Sequence, residues 1–253
     1  MSPSRLWRGA VCAAAVAAFG LGGALLGFLG FPLLALLPGG REVRERRARA
    51  VVRACFRALV AVFRAAGVLR LDVEGGEAFR ELRGTLVVAN HPTYLDVVLL
   101  LGLLPDALCV VKARLRSSVG FGGVLRAAGY IPNDASCMAR CTEALAAGHN
   151  LLLFPEGTRS APGAPPRFRR GAAHVALASG APILPVRLSC DPPAWTKGRR
   201  LYNLPQRRCR FQLAARPPLP LRAWLRGTEP GPRAARRLTE ALEAFFTQDT
   251  GPR

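Results

Sequence analysis

The stretch "GTLVVANHPTYLDVVLL", residues 84–100, decides how the rest of the chain is read. Its first half is a short apolar run rich in β-branched valine, opened by Gly84 and closed by Asn90. Such a run, without polar alternation, fits a strand buried on both faces. Its second half is apolar again and begins with Pro92, a residue suited to the first position of a helix. The spacing therefore predicts a strand handing over to a helix, with His91 at or beside the helix N-cap and Asp96 just over one turn further on.

The same alternation repeats along the chain. The runs "VLRLDVEG" (68–75), "ALCVVKA" (107–113), "GYIPN" (129–133), "NLLLFP" (150–155), "PILPVRL" (182–188) and "CRFQLAA" (209–215) read as further strands. Helical stretches fall near 94–103, 116–127, 135–147 and 170–179. This order is that of an α/β domain with a mostly parallel sheet flanked by helices. Sites in such sheets gather beyond the carboxyl ends of the strands, where His91 lies.

At five residues' separation His91 and Asp96 can meet. A carboxylate bonded to Nδ1–H fixes the imidazole tautomer and leaves Nε2 free as a general base. The chain has no G-x-S-x-G, and Cys109 sits mid-strand among apolar neighbours, so the hydroxyl to be activated belongs to the substrate. A second stretch, "LLLFPEGTRS" (151–160), ends a strand in a turn that offers backbone N–H groups, the Thr158 hydroxyl and the Arg159 guanidinium. That combination suits a phosphate, although taken alone a strand-ending turn with a surface arginine explains the same residues. A third stretch, "APILPVRL" (181–188), is expected to form one wall of an apolar cleft. His149, in a turn, and His174, in an Ala-rich helix, read as structural.

The first part of the chain differs. From Gly9 to Gly40 there is no charged residue. As one helix this segment would measure about 48 Å against a hydrocarbon core of about 30 Å, too long for a simple span and too short for two. Glycines at 20, 22, 23, 27 and 30 and Pro32 interrupt it, so a tilted span and a bent hairpin dipping into one leaflet both fit. Arg5 and Arg8 ahead of small residues resemble a cleaved signal, but the run continues past a normal h-region. Residues 41–67 follow as a basic amphipathic helix carrying Arg41, Arg44, Arg46, Arg47, Arg49, Arg53 and Arg57. This charge asymmetry places the bulk of the chain on the cytoplasmic side. The expected organisation is a membrane anchor with its basic helix over 1–67 and a catalytic domain over 68–253.

Lys and Arg outnumber Asp and Glu by 36 to 16, giving a net charge of +20 that points to an anionic partner. Nucleic acid is disfavoured by the absence of aromatic interleaving and of any helix-turn-helix pattern. The 7 cysteines contain no C-x-x-C pair, which argues against a disulfide or zinc framework, and no metal is expected.

Taken together, N-H-x4-D after a strand, then F-P-E-G-T-R-S, then a P-I-L-P-V strand resemble the glycerolipid, or lysophosphatidic acid, acyltransferase family over roughly residues 45–215. The resemblance implies acyl transfer from a coenzyme A or acyl-carrier-protein thioester to a lysolipid hydroxyl, without an acyl-enzyme and without a cofactor. It makes His91 the general base held by Asp96. Glu156, Gly157 and Arg159 fall on the acceptor-binding block, and Lys112 on a lysine that helps hold the acceptor phosphate. It further implies a two-helix membrane motif, membrane lipids as partners and a site at the cytoplasmic face of a bacterial inner membrane. The chain departs from the pattern at "GYIPNDAS", where Asn133 and Asp134 stand in place of a usual arginine. A lyso-ornithine lipid is therefore an alternative acceptor, and a basic membrane-anchored binding protein is the non-enzymatic alternative.

Overall fold

The computed structural model describes residues 3–160, 165–196, 198, 204–225 and 233–248. All the expected strands are present, as β1 (Leu69–Glu74), β2 (Leu86–Ala89), β3 (Ala107–Val111), β4 (Ile131–Pro132), β5 (Asn150–Leu153), β6 (Ile183–Asp191) and β7 (Cys209–Ala215). They form one 7-stranded sheet in the order β1-β7-β6-β2-β5-β3-β4. The β6–β7 pairing is antiparallel and the others are parallel. The central strand β2 has Leu86, Val87, Val88 and Ala89 all fully buried, as its uninterrupted apolar run requires. Because β2, β5, β3 and β4 are adjacent and parallel, the loops after them emerge along one edge.

Helices α4 (Asp96–Leu103), α5 (Gly122–Ala127), α6 (Cys137–Ala146) and α7 (Gly171–Ser179) follow β2, β3, β4 and β5. The stretch expected as one helix over 116–127 is instead a 3-10 turn, Ala113–Ser117, a break, and then α5. The break follows from "SSVGFGG": its glycines disfavour helix, and Ser118 holds a turn by accepting at its carbonyl from Gly122 N–H, 2.9 Å, and at Oγ from Phe121 N–H, 3.3 Å. Two C-terminal helices, α8 (Leu221–Leu225) and α9 (Ala234–Gln248), lie beyond the elements read from the sequence. The buried Leu238, Leu242 and Phe246 give α9 a regular apolar stripe. Strand β6 lines no part of the cavity described below. It is a sheet strand between β7 and β2, on the opposite side of β2 from the site described below.

The N-terminal apolar segment is one continuous helical run, α1 (Pro3–Leu25), a π turn (Leu26–Gly30) and α2 (Phe31–Ala35). The π turn precedes Pro32, whose missing N–H interrupts the regular bonding. The chain reverses only after this run, and α3 (Arg41–Ala65) forms the returning arm. The first arm lies along the domain. Near its start Arg5 donates to the Leu204 carbonyl at 3.1 Å, and Arg8 donates to the carbonyls of Pro205 and Gln206. Further along, Phe19 packs on Phe121 with centroids 5.3 Å apart. Gly27 meets Gly123 so closely that a Cβ on Gly123 would lie 2.7 Å from the Gly27 Cα. The outer face leaves Leu21, Leu25, Phe28, Leu29 and Leu33 exposed.

Not all of the basic charge on α3 faces outward. Arg49 is buried and bonds Asp106 at 2.6 Å and the Ala128 carbonyl at 3.2 Å. Arg53 donates to the Gly102 and Leu103 carbonyls at the end of α4. These arginines bind the helical arm to the sheet domain, and buried residues Cys12, Phe31, Val52 and Phe63 join the same apolar core.

Candidate active site

The loop after β2 is fixed before any ligand arrives. Asn90 extends the sheet ladder with its side chain, donating to the Leu188 carbonyl at 2.8 Å and accepting from Leu188 N–H at 2.7 Å. His91 follows, with Nδ1 2.8 Å from Asp96 Oδ2. Asp96 is fully buried and, as a carboxylate, only accepts, so Nδ1 carries the hydrogen of that bond. The buried Thr93 supplies two further donors, its N–H to Asp96 Oδ2 and its hydroxyl to Asp96 Oδ1, each at 2.6 Å. Its Oγ1 in turn accepts from Leu95 N–H at 3.1 Å.

This network explains why the helix starts later than expected. Residues 92–95 form a tight turn around the Asp96 carboxylate, α4 begins at Asp96, and His91 precedes the helix rather than capping it. Burial pushes the Asp96 carboxyl above the usual carboxylate range, while the bonds from His91 and Thr93 pull it back.

The turn after β5 holds His91 from the other side. Glu156 accepts from His91 N–H at 2.8 Å, and Ser160 N–H donates to the His91 carbonyl at 2.9 Å. The Ser160 hydroxyl reaches both Glu156 oxygens, at 2.8 and 2.7 Å. The His91 ring stacks on Phe154 with centroids 4.4 Å apart. Backbone and ring are thus both clamped, and the Nε2 edge is the part left unbonded among the described residues.

His91 borders a cavity of about 1170 Å³. Its interior is apolar, with Val98, Cys109, Val110, Tyr130 and Leu153 on the sheet side and Phe19, Gly22, Gly23, Phe56 and Leu59 from α1 and α3. Its exposed rim is polar, with Lys112, Arg114, Asn133, Asp134, Gly157, Thr158 and Arg169, and Arg159 is partly buried beside it. The structure thus gathers Lys112, Gly157, Thr158 and Arg159 at one opening. Glu156 stands apart, its carboxylate turned to the His91 backbone and absent from the cavity lining. No cluster of metal-ligating side chains occurs among the described residues.

Asp134 accepts from Ser136 N–H at 2.9 Å and from the Ser136 hydroxyl at 2.7 Å. These bonds close the turn ahead of α6 without reaching into its first turn. The Ser136 hydroxyl, with its N–H and the nearby Arg140 and Arg116, holds the exposed Asp134 carboxyl below its usual range.

Thr93, Tyr94, Phe154 and Ser160 were not singled out in the sequence, although each builds this site. The T-x-x-D spacing was the legible signal for Thr93. Nothing local marks Tyr94 or Phe154, because their partners lie on a different loop, whereas Ser160 bonds Glu156 of its own turn as well as the His91 carbonyl.

The fold is shared with PlsC, the 1-acyl-sn-glycerophosphate acyltransferase of Thermotoga maritima, at a TM-score of 0.70 over 98% of this chain and 97% of that one. At 20% identity this is a likeness of fold. Residues 70–189, which hold both site loops, match the family model described as Acyltransferase. Similar curated proteins include the chloroplastic 1-acyl-sn-glycerol-3-phosphate acyltransferase of Brassica napus, 31% identical over 40% of this chain and 31% of that protein. The 1-acyl-sn-glycerol-3-phosphate acyltransferase alpha of Mus musculus is 31% identical over 55% of this chain and 52% of that protein. The chain therefore spans from about a third to about half the length of these relatives.

Proposed function

We propose that this protein is an O-acyltransferase that moves a fatty acyl group from a coenzyme A or acyl-carrier-protein thioester to the hydroxyl of a phosphate-bearing lysolipid, lysophosphatidic acid above all. The observation that carries this reading is the cavity at which His91, an apolar interior and a cationic rim meet. His91 Nε2 removes the proton from the acceptor hydroxyl, and Asp96 stabilises the resulting imidazolium. The acceptor oxygen attacks the thioester carbonyl carbon. An ester C–O bond forms, the C–S bond breaks, and the imidazolium returns its proton to the departing thiolate. The donor is a co-substrate, and no resident cofactor takes part.

The rim supports a phosphate. Lys112, Arg114, Arg159 and Arg169 supply four cations there against the one carboxylate of Asp134. Salt bridges from these four side chains to carboxylates are absent among the described residues. The apolar depth of the cavity suits an acyl chain. Asp134 favours the second reading, an amine-bearing acceptor such as lyso-ornithine lipid, but its carboxylate is already engaged by Ser136.

The membrane is approached sideways. The helical run Ser4–Ala35 is long and apolar enough to cross a bilayer. Yet it touches the domain both at Arg5 and Arg8 and again at Phe19 and Gly27, so a perpendicular span would carry the domain into the bilayer alongside it. The exposed row from Leu21 to Leu33 instead sinks into one leaflet, at the cytoplasmic face, with Arg44, Arg46 and Arg57 available to anionic headgroups.

Purified protein supplied with acyl-CoA and either lysophosphatidic acid or lyso-ornithine lipid tests the reading by thiol release and product mass. Phosphatidic acid is expected as the main product. Turnover confined to the lyso-ornithine acceptor would displace the acceptor assignment, and no thioester-dependent product with any lysolipid would displace the enzyme.

A further inference from the structure

The Arg159 guanidinium lies over the Tyr94 ring, its Cζ 3.4 Å from the ring centroid. Its Nη1 is shielded from solvent and has no hydrogen-bond partner among the described residues. A cation on an aromatic face is held by the ring quadrupole, and stacking leaves the planar fork of N–H donors free at its edge. Tyr94 can serve as such a platform because its own place is fixed. Its N–H donates to the Trp195 carbonyl at 3.1 Å, and Trp195 is buried between Phe63 and Phe211, with centroids 6.3 and 5.9 Å away. Tyr94 also sits between Thr93 and Asp96, so the loop that aims the base carries the platform for the arginine of the other loop.

We propose that Tyr94 is a positioning residue that sets acceptor specificity by holding the Arg159 guanidinium edge-on to the acceptor's phosphate. The proposal rests on the reading of the site as one for a phosphate-bearing lysolipid. Ring stacking limits the rotamers of a long side chain before the ligand binds, so less ordering remains to be done when an anionic headgroup arrives. The base lies on the same loop, so a phosphate caught by the stacked fork has its glycerol hydroxyl aligned toward His91. An acceptor without a phosphate draws no such benefit.

The test compares lysophosphatidic acid with a monoacylglycerol of the same chain, using full-length protein in mixed micelles. Tyr94→Leu removes the π face, and Tyr94→Phe keeps it. Tyr94→Leu is expected to lower the selectivity for lysophosphatidic acid, the ratio of kcat/KM on the two acceptors, by about threefold to tenfold, mainly through KM. Tyr94→Phe should retain the wild-type ratio. In an Arg159→Ala background, Tyr94→Leu should produce little further loss of selectivity, because Tyr94 acts through that guanidinium.

An unchanged ratio in Tyr94→Leu, or independent and additive losses in the double variant, would overturn the role given to Tyr94 while leaving the acceptor reading intact. Equal losses on both acceptors, entirely in kcat, would mark Tyr94 as a support of the base loop and also overturn it. Failure of the wild type to acylate lysophosphatidic acid at all would overturn both the acceptor reading and this proposal.

Discussion

Two loops meet at this site, and they are built in opposite ways. After β2, Asn90, His91, Thr93 and Asp96 find partners among themselves or in the adjoining strand and turn, and the reacting edge of the imidazole is what remains. After β5, Glu156 and Ser160 are likewise closed upon the first loop, but Arg159 keeps a buried N–H without a partner and faces the rim. A general base must be oriented before substrate arrives, since error in its aim is repeated in every transition state. A headgroup cation is useful only if its donors are free for the headgroup. On the proposed function the contrast separates chemistry from recognition, and the two loops should respond differently to mutation.

The largest effect is expected at the closed loop. On the proposed mechanism His91→Ala removes the group that takes the acceptor proton and should lower kcat by about 10²–10⁴. Its effect on the KM for lysophosphatidic acid should be small, because the rim cations are untouched. Steady-state kinetics on lysophosphatidic acid check this. Near wild-type turnover would mean that another group serves as base and would break the division between the loops.

Asp96→Asn sharpens the comparison by separating activity from stability. Activity should fall by about 10², since a neutral amide does not stabilise the imidazolium. Stability should move the other way at neutral pH. Burial raises the Asp96 carboxyl above its ordinary 3.8, so its contribution to stability is fully present below that value and is lost as pH rises through the folded-state value. Asparagine does not titrate, and Thr93 can turn its hydroxyl to accept from the new amide. Thermal unfolding followed from pH 4 upward should show Asp96→Asn gaining on the wild type with rising pH, then holding a constant lead. A variant that loses stability steadily over that range would show that the carboxylate is structural rather than held in readiness.

Much of this was legible in the sequence, for reasons that can be named. The buried strands β2 and β5 announced themselves through uninterrupted "LVVA" and "LLL" runs, and the motifs at their ends followed from where parallel strands stop. The meeting of His91 with Asp96 needed only local chain geometry. What stayed hidden was long-range. Glu156 reads as a possible ligand contact by its position in the turn, whereas its carboxylate is turned to the His91 backbone, 65 residues away. Arg49 and Arg53 read as surface charge on an amphipathic helix, and only the packed structure shows them bonded to Asp106 and to the end of α4. Periodicity reports which face of an element is apolar, and says nothing of which polar partner another loop brings.

The smallest effect is expected at Asp134, where the sequence left the acceptor most open. The carboxylate stands on the rim near cations that would bind a phosphate, so it could repel such a headgroup. Its two hydrogen bonds from Ser136 give it a local task instead, and it is exposed, so water and salt screen its field. Asp134→Asn keeps an acceptor oxygen for Ser136 while deleting the charge. The ratio of turnover on lysophosphatidic acid to that on lyso-ornithine lipid should therefore change by no more than about twofold to threefold, in favour of the phosphate. Asp134→Arg should strengthen that preference, because it adds a cation to a rim that already has four. A tenfold or larger shift on removing the charge alone would show that Asp134 reads the headgroup directly. In that case the open loop would extend to the end of β4, and the natural acceptor would be one that offers Asp134 an amine or a hydroxyl.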